Sequence, residues 1–525
     1  MSVAARSMER QFEASGEIVH VPLADEAATL RLGADIATVL KPGDLVALEG
    51  DLGAGKTTFA RGLVQWLAGT GGATADIDVP SPTFTIIVPH ETVPPVLHVD
   101  LYRISDPSEL DELGIAEALD DHIVLVEWPQ RAAGELPEPV LTIRLEHDGE
   151  GRIAHVSGPL LDPVGEEGLP DRAGAMRTIA VRAFLDAVGR GDAVRRHLTG
   201  DASTRAYETV HTGQPLPPIL MNAPEQPDGP PVRDGLPYSR IAHLAEDVRP
   251  FVAVAVELRR KGLAAPRILA ADLDEGLLLV ENFGSGTVLA AGLPARERYR
   301  DCARMLAENL SWKLDGPLDL SLPDGTTHLV RLYDRDAMQI EVDLLADWYV
   351  HDVHDRDLTA GERETFEGLW ADLYSKLERM PQTLALRDFH SPNIVWRDWK
   401  EGVDRIGLID FQDALVGPEA YDLASLAQDA RTDVSPTLEA ELVDLYCATR
   451  GGEPDFDAEA FRESYAIMAA QRASKILGIF VRLDLRDGRP HYRHHLPRMQ
   501  AYMERALAHP SLVELKVFYA KVFDL

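Results

Sequence analysis

The sequence is poor in cysteine, in positive charge and in long apolar runs. Its 525 residues include only Cys302 and Cys447, so a disulfide framework is excluded and a reducing compartment is expected. Lysine and arginine number 52 against 86 aspartate and glutamate, and the net charge of -34 argues against direct binding of nucleic acid. No apolar run approaches the length of about 18 residues that predicts a membrane span, and the N-terminus lacks an apolar export segment. We therefore expect a cytoplasmic protein without membrane contact.

The length predicts more than one domain. A chain of 525 residues exceeds what one ordinary hydrophobic core accommodates, while 45% hydrophobic and 26% charged residues are typical of globular proteins. Residues 159–175 combine proline, glycine and charge without periodicity, which predicts a linker. We expect a first domain over residues 1–158 and a second domain over residues 176–525.

The first domain is organised around a glycine-rich stretch, GDLGAGKTT, over residues 50–58. It fits the phosphate-binding loop pattern G-x-x-x-x-G-K-[ST] and lies between an apolar strand pattern over 44–48 and a helical pattern over 57–67. In such a loop the backbone N–H groups and the helix N-terminus face a phosphate, the lysine reaches the β- and γ-phosphates, and the hydroxyl beside it ligates magnesium. The predicted nucleotide contacts are Gly50, Gly53, Gly55, Lys56, Thr57 and Thr58, with Thr57 also a magnesium ligand.

Two further strand patterns end on carboxylates. Residues 96–101 end beside Asp100, and residues 123–126 lead into Glu127. Strands that alternate with helices, including an amphipathic helix predicted over 108–119, indicate a mainly parallel α/β sheet with its ligand at the carboxyl ends of the strands. A carboxylate at such a position holds magnesium or orients the attacking water, although a strand-end cap explains Asp100 equally well.

Four motifs of this half, GDLGAGKTT, SPTFT, HVDLYR and VEWPQR, resemble those of the TsaE family, the ATPase of bacterial threonylcarbamoyladenosine formation on tRNA. The resemblance covers residues 17–158 and implies ATP and Mg²⁺ as cofactors. It also implies roles for four residues at the site: magnesium binding by Asp100, a switch at Thr83, catalysis or coupling by Glu127, and a place beside the nucleotide for Trp128.

The same resemblance implies protein partners. TsaE-type ATPases act on the TsaB- and TsaD-like proteins of the threonylcarbamoyl transferase complex, so tRNA is expected only as an indirect partner, in keeping with the acidic charge. Gln130 stands where the family pattern has a glutamate after EWP, a departure that removes nothing essential. A nucleotide-dependent switch that scaffolds a complex with negligible turnover remains the alternative for this half.

The second domain carries kinase-type catalytic motifs. The stretch LALRDFHSPNIV over 384–395 places Asp388 and Asn393 at the spacing D-x-x-x-x-N, and an apolar strand pattern over 405–411 ends on Asp410. Asp410 begins D-F-Q, which differs from the kinase element D-F-G in its last residue. By kinase roles, Asp388 accepts the proton of the substrate hydroxyl, and Asn393 and Asp410 bind magnesium.

Elements of a nucleotide-binding lobe precede these motifs. The small-residue stretch TGDASTRAY over 199–207 predicts a turn that covers phosphates, with Ser203 and Arg205 as nucleotide contacts. An apolar strand pattern over 276–280 runs into Glu281, the predicted hinge against adenine. A helical region follows the catalytic motifs, as the larger lobe of a kinase requires.

One residue departs from the kinase pattern. The strand over 218–222 corresponds to the one that usually carries a lysine for the α- and β-phosphates, but Met221 occupies that position. Either another cation such as Arg205 replaces the lysine, or the domain is a pseudokinase. The retained catalytic residues favour the first interpretation.

The motifs GDASTRAY, ILMNAPE, LRDFHSPNIVW and LIDFQDALVGPEAYDLASLAQDAR resemble the aminoglycoside-phosphotransferase superfamily, and within it the anomeric amino-sugar kinases of cell-wall recycling. The resemblance covers residues 176–505. It implies a bilobal, protein-kinase-like α+β fold, ATP and Mg²⁺ as cofactors, and N-acetylmuramate or N-acetylglucosamine as the small-molecule sugar substrate. Kinases of aminoglycosides, choline or homoserine, and a pseudokinase binding module, stay open as alternatives.

Overall fold

The computed structural model describes most of the chain: residues 10–13, 16–70, 77–104, 109–110, 113–132, 134–161, 174–198, 205–225 and 228–525. It divides into two compact units, residues 2–195 and residues 196–525. Ser203 and residues 162–173 of the predicted linker lie outside the described part. Both cysteines are free and buried. None of the described helices combines the length and the apolarity needed to cross a membrane.

In its described part, the first unit contains eight strands and four α-helices. The strands are β1 (Arg10–Glu13), β2 (Gly16–Leu23), β3 (Leu45–Glu49), β4 (Ile87–His90), β5 (Val96–Asp100), β6 (Ile123–Glu127), β7 (Leu141–Asp148) and β8 (Gly151–Ser157). The helices are α1 (Glu26–Ala37), α2 (Lys56–Thr70), α3 (Ile115–Ala118) and α4 (Ala175–Ala187).

The centre of the first sheet is parallel. The strands lie in the order β1-β2-β8-β7-β3-β6-β5-β4, with parallel pairing from β7 through β3 and β6 to β5 and antiparallel pairing on both flanks. β3 and β6 have the sequences LVALE and IVLVE and are buried, as apolar runs in a sheet covered on both faces should be. Because β3, β6 and β5 run in the same direction, their carboxyl ends meet at one edge of the sheet.

The helix predicted over 108–119 is shorter than expected. In the described residues of this stretch, the α-helix covers only Ile115–Ala118. Gly114 precedes it with a φ of +63°, a left-handed conformation that interrupts a right-handed helix. The prediction from apolar spacing was therefore wrong in extent, because periodicity does not report where the backbone turns.

Helix α4 belongs to the first unit, so the second unit starts at residue 196 rather than at 176. Arg182 on α4 donates to both carboxylate oxygens of Asp35 on α1, at 2.7 and 2.8 Å. Arg195 donates to the same carboxylate at 3.0 Å and to the hydroxyl of Thr178 at 2.9 Å. Asp35 is 2% exposed, and a buried carboxylate with two guanidinium partners ties its elements together.

The remaining elements belong to the second unit, whose first strand spans the boundary. The strands are β9 (Val194–Leu198), β10 (Ala206–His211), β11 (Ile219–Asn222), β12 (Pro231–Arg233), β13 (Leu236–Pro237), β14 (Ile268–Asp272), β15 (Leu277–Val280), β16 (Leu289–Ala290), β17 (Leu293–Pro294), β18 (Leu318–Ser321), β19 (Thr327–Val330), β20 (Gln382–Ala385), β21 (Ile394–Trp396), β22 (Ile406–Leu408) and β23 (Leu415–Pro418). The helices are α5 (Tyr238–Ile241), α6 (Arg249–Arg260), α7 (Arg296–Asn309), α8 (Arg335–Leu344), α9 (Val350–His354), α10 (Ala360–Leu377), α11 (Tyr421–Ala427), α12 (Pro436–Arg450), α13 (Ala458–Leu485), α14 (Leu496–Ala506) and α15 (Val513–Val522).

The second unit has a small sheet lobe and a larger helical lobe. The five-stranded sheet has the order β14-β15-β11-β10-β9 and packs against α6. In the helical lobe, the short ladders β20–β23 and β21–β22 carry the catalytic motifs at their ends. One apolar cluster runs from Met221 in β11 to Phe523 beyond α15, so both lobes share a continuous core. This bilobal α+β architecture is the kinase-like fold expected from the sequence.

Candidate active sites

The loop between β3 and α2 has the backbone of a phosphate-binding loop. Gly50, Gly53 and Gly55 have φ values of +130°, +79° and +110°, a region that favours glycine. A Cβ on Gly50 would lie 2.4 Å from the carbonyl oxygen of Leu145, so the loop also approaches β7 too closely for a side chain. The glycines are thus required by geometry as well as by the motif.

Lys56 begins α2 and is buried under the loop. Its Nζ donates to the carbonyl oxygens of Gly50 at 2.8 Å and Asp51 at 2.9 Å, and lies 4.0 Å from the centre of the Trp128 ring. Burial lowers the pKa of Lys56, while nearby carboxylates oppose that shift. Trp128 holds a φ of +60°, an outlier for a bulky residue, which turns its ring toward the ammonium.

Two hydroxyl–carboxylate pairs lie at the ends of β5 and β6. Thr57, in the first turn of α2 with Thr58, donates to Oε1 of Glu127 at 2.9 Å. Thr83 donates to Oδ2 of Asp100 at 2.7 Å. Asp100 and Glu127 are opposite each other in the β5–β6 register, and both are buried. The hydroxyl predicted to ligate magnesium therefore faces Glu127, whereas Asp100 faces the predicted switch residue.

Sequence reasoning missed His98, a buried residue of β5. Its Nε2 lies 3.0 Å from Oε1 of Glu127, and the imidazole is 0% exposed. His98 stands two residues before Asp100, on the same side of the strand, because side chains alternate along β-structure. A histidine inside an otherwise apolar strand pattern was the signal that could have identified it.

In the second unit the three predicted catalytic residues converge. Nδ2 of Asn393 donates to the carbonyl oxygen of Asp388 at 3.0 Å and to Oδ2 of Asp410 at 3.1 Å. Nε2 of Gln412 donates to Oδ1 of Asp410 at 2.9 Å. Burial and the neighbouring Asp388 carboxylate raise the pKa of Asp410. The site therefore concentrates negative charge, the electrostatic condition that a cation relieves.

The backbone that carries these residues is held in unusual conformations. Arg387 and Asp410 have φ values of +68° and +61°, which non-glycine residues rarely adopt. The N–H groups of Leu386 and Arg387 donate to the carboxylate of Asp422 at 2.7 and 3.0 Å. Burial raises the pKa of Asp422 to about 7, although these backbone hydrogen bonds oppose the shift. These contacts fix the loop that precedes Asp388.

Arg205, the residue immediately before β10, brings a cation to the site. Met221 is 4% exposed and is the register partner of Tyr207 in the β10–β11 pair. Arg205 immediately precedes β10, and its Nη1 lies 3.6 Å from Oδ1 of Asp410. The guanidinium of Arg205 thus contacts the predicted metal ligand Asp410, although β11 carries Met221 where a lysine is usual.

The predicted hinge residue Glu281 directly follows β15. Its carboxylate accepts hydrogen bonds from the backbone N–H of Arg267 at 3.2 Å and from the Nε of Arg267 at 3.1 Å. Its own N–H donates to the carbonyl oxygen of Arg267 at 2.9 Å. The carboxylate of Glu281 is therefore committed to Arg267, the residue that precedes β14.

A cavity of about 540 Å³ lies beside Gln412, and its lining includes Ser239, His243 and Arg331. Oε1 of Gln412 and Oγ of Ser239 are buried and have no hydrogen-bond partner among the described residues. A volume of this size falls within the range of small-molecule sites, and unpaired buried oxygens are groups that a polar ligand can satisfy. The cavity is connected to the catalytic residues through the hydrogen bond from Gln412 to Asp410.

Comparison with known families divides the chain into two parts, as its geometry does. Residues 23–154 match the family described as threonylcarbamoyl adenosine biosynthesis protein TsaE, and residues 195–462 match the phosphotransferase enzyme family. The chain belongs to both families. It is therefore an ATP-using enzyme with a TsaE unit, residues 2–195, and a phosphotransferase unit, residues 196–525.

Individual relatives match the two parts of the chain separately. An N-acetylmuramate/N-acetylglucosamine kinase of Caulobacter vibrioides is 37% identical over 362 residues, which are 65% of this chain and 96% of that protein. For the TsaE unit, the tRNA threonylcarbamoyladenosine biosynthesis protein TsaE of Streptomyces coelicolor is 39% identical over 133 residues, 24% of this chain and 86% of that protein. The protein of the same name from Rickettsia felis is 38% identical over 125 residues, 24% of this chain and 70% of that protein.

Proposed function

We propose that the phosphotransferase unit transfers the γ-phosphoryl group of ATP to the anomeric hydroxyl of an N-acetylated amino sugar, N-acetylmuramate or N-acetylglucosamine. The observation that carries the proposal is the convergence of Asp388, Asn393 and Asp410 on one site. The Caulobacter relative, of which this chain covers 96%, is an N-acetylmuramate/N-acetylglucosamine kinase, which supports the sugar class. We place such an acceptor in the cavity beside Gln412, which donates a hydrogen bond to Asp410.

In the proposed mechanism, Asp388 accepts the proton of the anomeric hydroxyl as that oxygen attacks the γ-phosphorus of ATP, whose bond to the bridging oxygen breaks to release ADP. An anomeric hydroxyl is more acidic than an ordinary alcohol, so a carboxylate is adequate as the acceptor. Asp410 and Asn393 offer the oxygen ligands that Mg²⁺ prefers, and the concentration of negative charge that raises the pKa of Asp410 fits a divalent cation. Bound Mg²⁺ supplies neutralisation of the phosphate charge. Arg205 adds a fixed positive group on the same side.

The test is phosphorylation by the full chain carrying Lys56→Ala, so that the other nucleotide site is silenced. N-acetylmuramate, N-acetylglucosamine, kanamycin and choline are offered with ATP and Mg²⁺. We expect the two sugars to be phosphorylated at the anomeric carbon, and Asp388→Asn to slow the reaction about 100-fold or more. Reaction with kanamycin or choline alone would reject the sugar class, and reaction with none of the four would support a pseudokinase.

We further propose that the TsaE unit is a Mg²⁺-dependent ATPase that serves the threonylcarbamoyl transferase complex. The pairing of Thr57 with Glu127 at 2.9 Å carries this proposal, because a hydroxyl and a carboxylate at a phosphate-binding loop are the oxygen ligands that Mg²⁺ requires. Lys56 would exchange the loop carbonyls for the phosphates, and Thr57 and Glu127 would hold Mg²⁺ and orient the attacking water. Thr83 and Asp100 form the switch that separates the ATP and ADP states.

The partners proposed for this unit are TsaB- and TsaD-like proteins. We place the protein in the cytoplasm, where ATP is available for the proposed ATPase and sugar-kinase reactions. In an Asp410→Ala background, Lys56→Ala should abolish ATP binding by the first unit, and Glu127→Ala should retain binding but slow turnover. Pull-down of the transferase proteins should require ATP and be lost in Lys56→Ala. Unchanged nucleotide affinity in Lys56→Ala, or tight binding to bare tRNA, would contradict the proposal.

A further inference from the structure

The buried histidine of the TsaE unit converges with a threonine on one carboxylate oxygen. Oε1 of Glu127 lies 3.0 Å from Nε2 of His98 and 2.9 Å from the Thr57 hydroxyl. The side chains of His98 and Glu127 are 0% and 3% exposed. Oε2 of Glu127 accepts no hydrogen bond from the residues that the structure describes. Oε1 is therefore fixed by two donors, and Oε2 remains available to a ligand in the nucleotide site.

The chemistry of the carboxylate determines which nitrogen of His98 carries hydrogen. An ionised glutamate only accepts hydrogen bonds, so Nε2 must be the donor. Nδ1 is buried without a hydrogen-bond partner among the described residues, and the strand neighbours of His98 in the register are Val88 on β4 and Leu125 on β6. An unsatisfied buried nitrogen is unfavourable and needs a reason. Holding Glu127 is a reason that the geometry supplies.

We propose that His98 is a positioning residue that keeps Glu127 oriented throughout the nucleotide cycle. This inference rests on the proposed ATPase function of the TsaE unit. The Thr57 hydroxyl would keep donating to Oε1 while a lone pair of its oxygen holds Mg²⁺, so His98 would be the second donor that fixes the same carboxylate oxygen. Because His98 is fully buried behind the carboxylate, it acts through Glu127 and does not contact ATP.

The experiment compares three substitutions in the full chain carrying Asp410→Ala, which removes the predicted metal carboxylate of the other unit. His98→Leu deletes the donor, and His98→Gln restores an N–H near the position of Nε2. His90→Leu is the matched control, because His90 is 7% exposed, its ring lies 6.2 Å from that of His98, and its Nε2 also lacks a partner in the described structure. His90 makes no contact with Glu127, so it reports only the packing cost.

Two readouts are needed: steady-state ATP hydrolysis, and the affinity of the ADP-bound protein for Mn²⁺ measured by electron paramagnetic resonance. We expect His98→Leu to weaken Mn²⁺ binding and turnover about 10- to 100-fold, with ADP affinity in the absence of metal unchanged. His98→Gln should recover most of both losses, and His90→Leu should retain both values.

Wild-type Mn²⁺ affinity in His98→Leu would overturn the positioning role. Equal losses in His98→Leu and His90→Leu would also overturn it, since packing alone would then explain the effect. If the parent chain does not bind Mn²⁺ with ADP, the proposed Mg²⁺-dependent ATPase function is itself wrong. His98 then has no metal-binding Glu127 to position. The parent measurement therefore separates failure of the function from failure of this inference.

Discussion

The sharpest stability prediction concerns Glu341, a carboxylate at the centre of the phosphotransferase unit. Glu341 is 0% exposed on α8 and lies 2.7 Å from Nζ of Lys475. It also accepts hydrogen bonds from Arg387 and Tyr333, and from Gln471 at 3.0 Å. Glu341→Gln keeps the shape but removes the charge, which leaves two buried cations without their counter-charge.

The magnitude follows from burial. Removing one partner of a buried, hydrogen-bonded ion pair costs about 3–5 kcal/mol, a large part of the roughly 5–15 kcal/mol that stabilises an ordinary domain. Arg387 directly precedes Asp388, so the same change should also lower phosphotransfer. Burial alone would raise the pKa of Glu341, but the charges of Lys475 and Arg387 outweigh it and lower the pKa from 4.5 to about 2.

The sign of the pH dependence is fixed by that lowered pKa. The stability contributed by ionised Glu341 is fully present above its unfolded pKa of 4.5 and is lost as pH falls toward about 2. The difference between the parent and Glu341→Gln in free energy of unfolding should therefore be constant from pH 8 to pH 5 and shrink below about 4.5.

The assay is urea unfolding of the phosphotransferase transition at pH 8, 6, 5 and 4. Glu463→Gln is the matched control, because Glu463 also binds a lysine, Lys376, at 2.9 Å but is 27% exposed. The control should lose less than about 1 kcal/mol. A loss below about 1 kcal/mol in Glu341→Gln, or a difference from the parent that grows on acidification, would refute the reasoning.

Two further substitutions test the active-site cation and the packing of the first unit. Arg205→Ala should lower the rate of phosphotransfer about 10- to 100-fold, because it removes the cation beside Asp410. The control Arg304→Ala, which removes a half-exposed partner of Asp301, should leave the rate unchanged. Equal rates in the two variants would reject the role of Arg205. Gly62→Ala should destabilise the TsaE unit by about 1–3 kcal/mol, because its Cβ would lie 2.0 Å from a backbone oxygen of α1, as measured by thermal unfolding. Gly69→Ala, in the same helix with open space around its Cβ, should not destabilise it; equal effects would contradict this packing argument.

The residues of both active sites could be predicted from the sequence where they are adjacent in the chain or follow an apolar strand. The glycine loop encodes its backbone directly, since Gly50, Gly53 and Gly55 supply the left-handed φ values that the turn needs. Asp100 and Glu127 each follow an apolar run, and parallel strands bring such positions to one edge. A single sequence therefore carries enough information to place these carboxylates side by side.

What the sequence left open depends on partners distant along the chain. Thr57 could have faced either strand-end carboxylate, and its choice of Glu127 is set by the β3–β6 pairing. Likewise, α4 has the apolar pattern of any amphipathic helix, and its contacts with α1, among them the ion pair between Arg182 and Asp35, assign it to the first unit. Local periodicity does not encode which neighbour a side chain will meet.

The proposal that Arg205 replaces the usual lysine depends on where Met221 and Arg205 lie in the sheet. Directly opposed residues of an antiparallel pair project from the same face, so Met221 and its partner Tyr207 share one face of the sheet. Arg205 lies two residues before Tyr207 and immediately before β10, and extending the alternation of side chains by one residue puts it on that face as well. A lysine at position 221 and an arginine at 205 would therefore approach the phosphates from the same side. The 3.6 Å contact of Arg205 with Asp410 is the observation on which our proposal of an active kinase relies at this position.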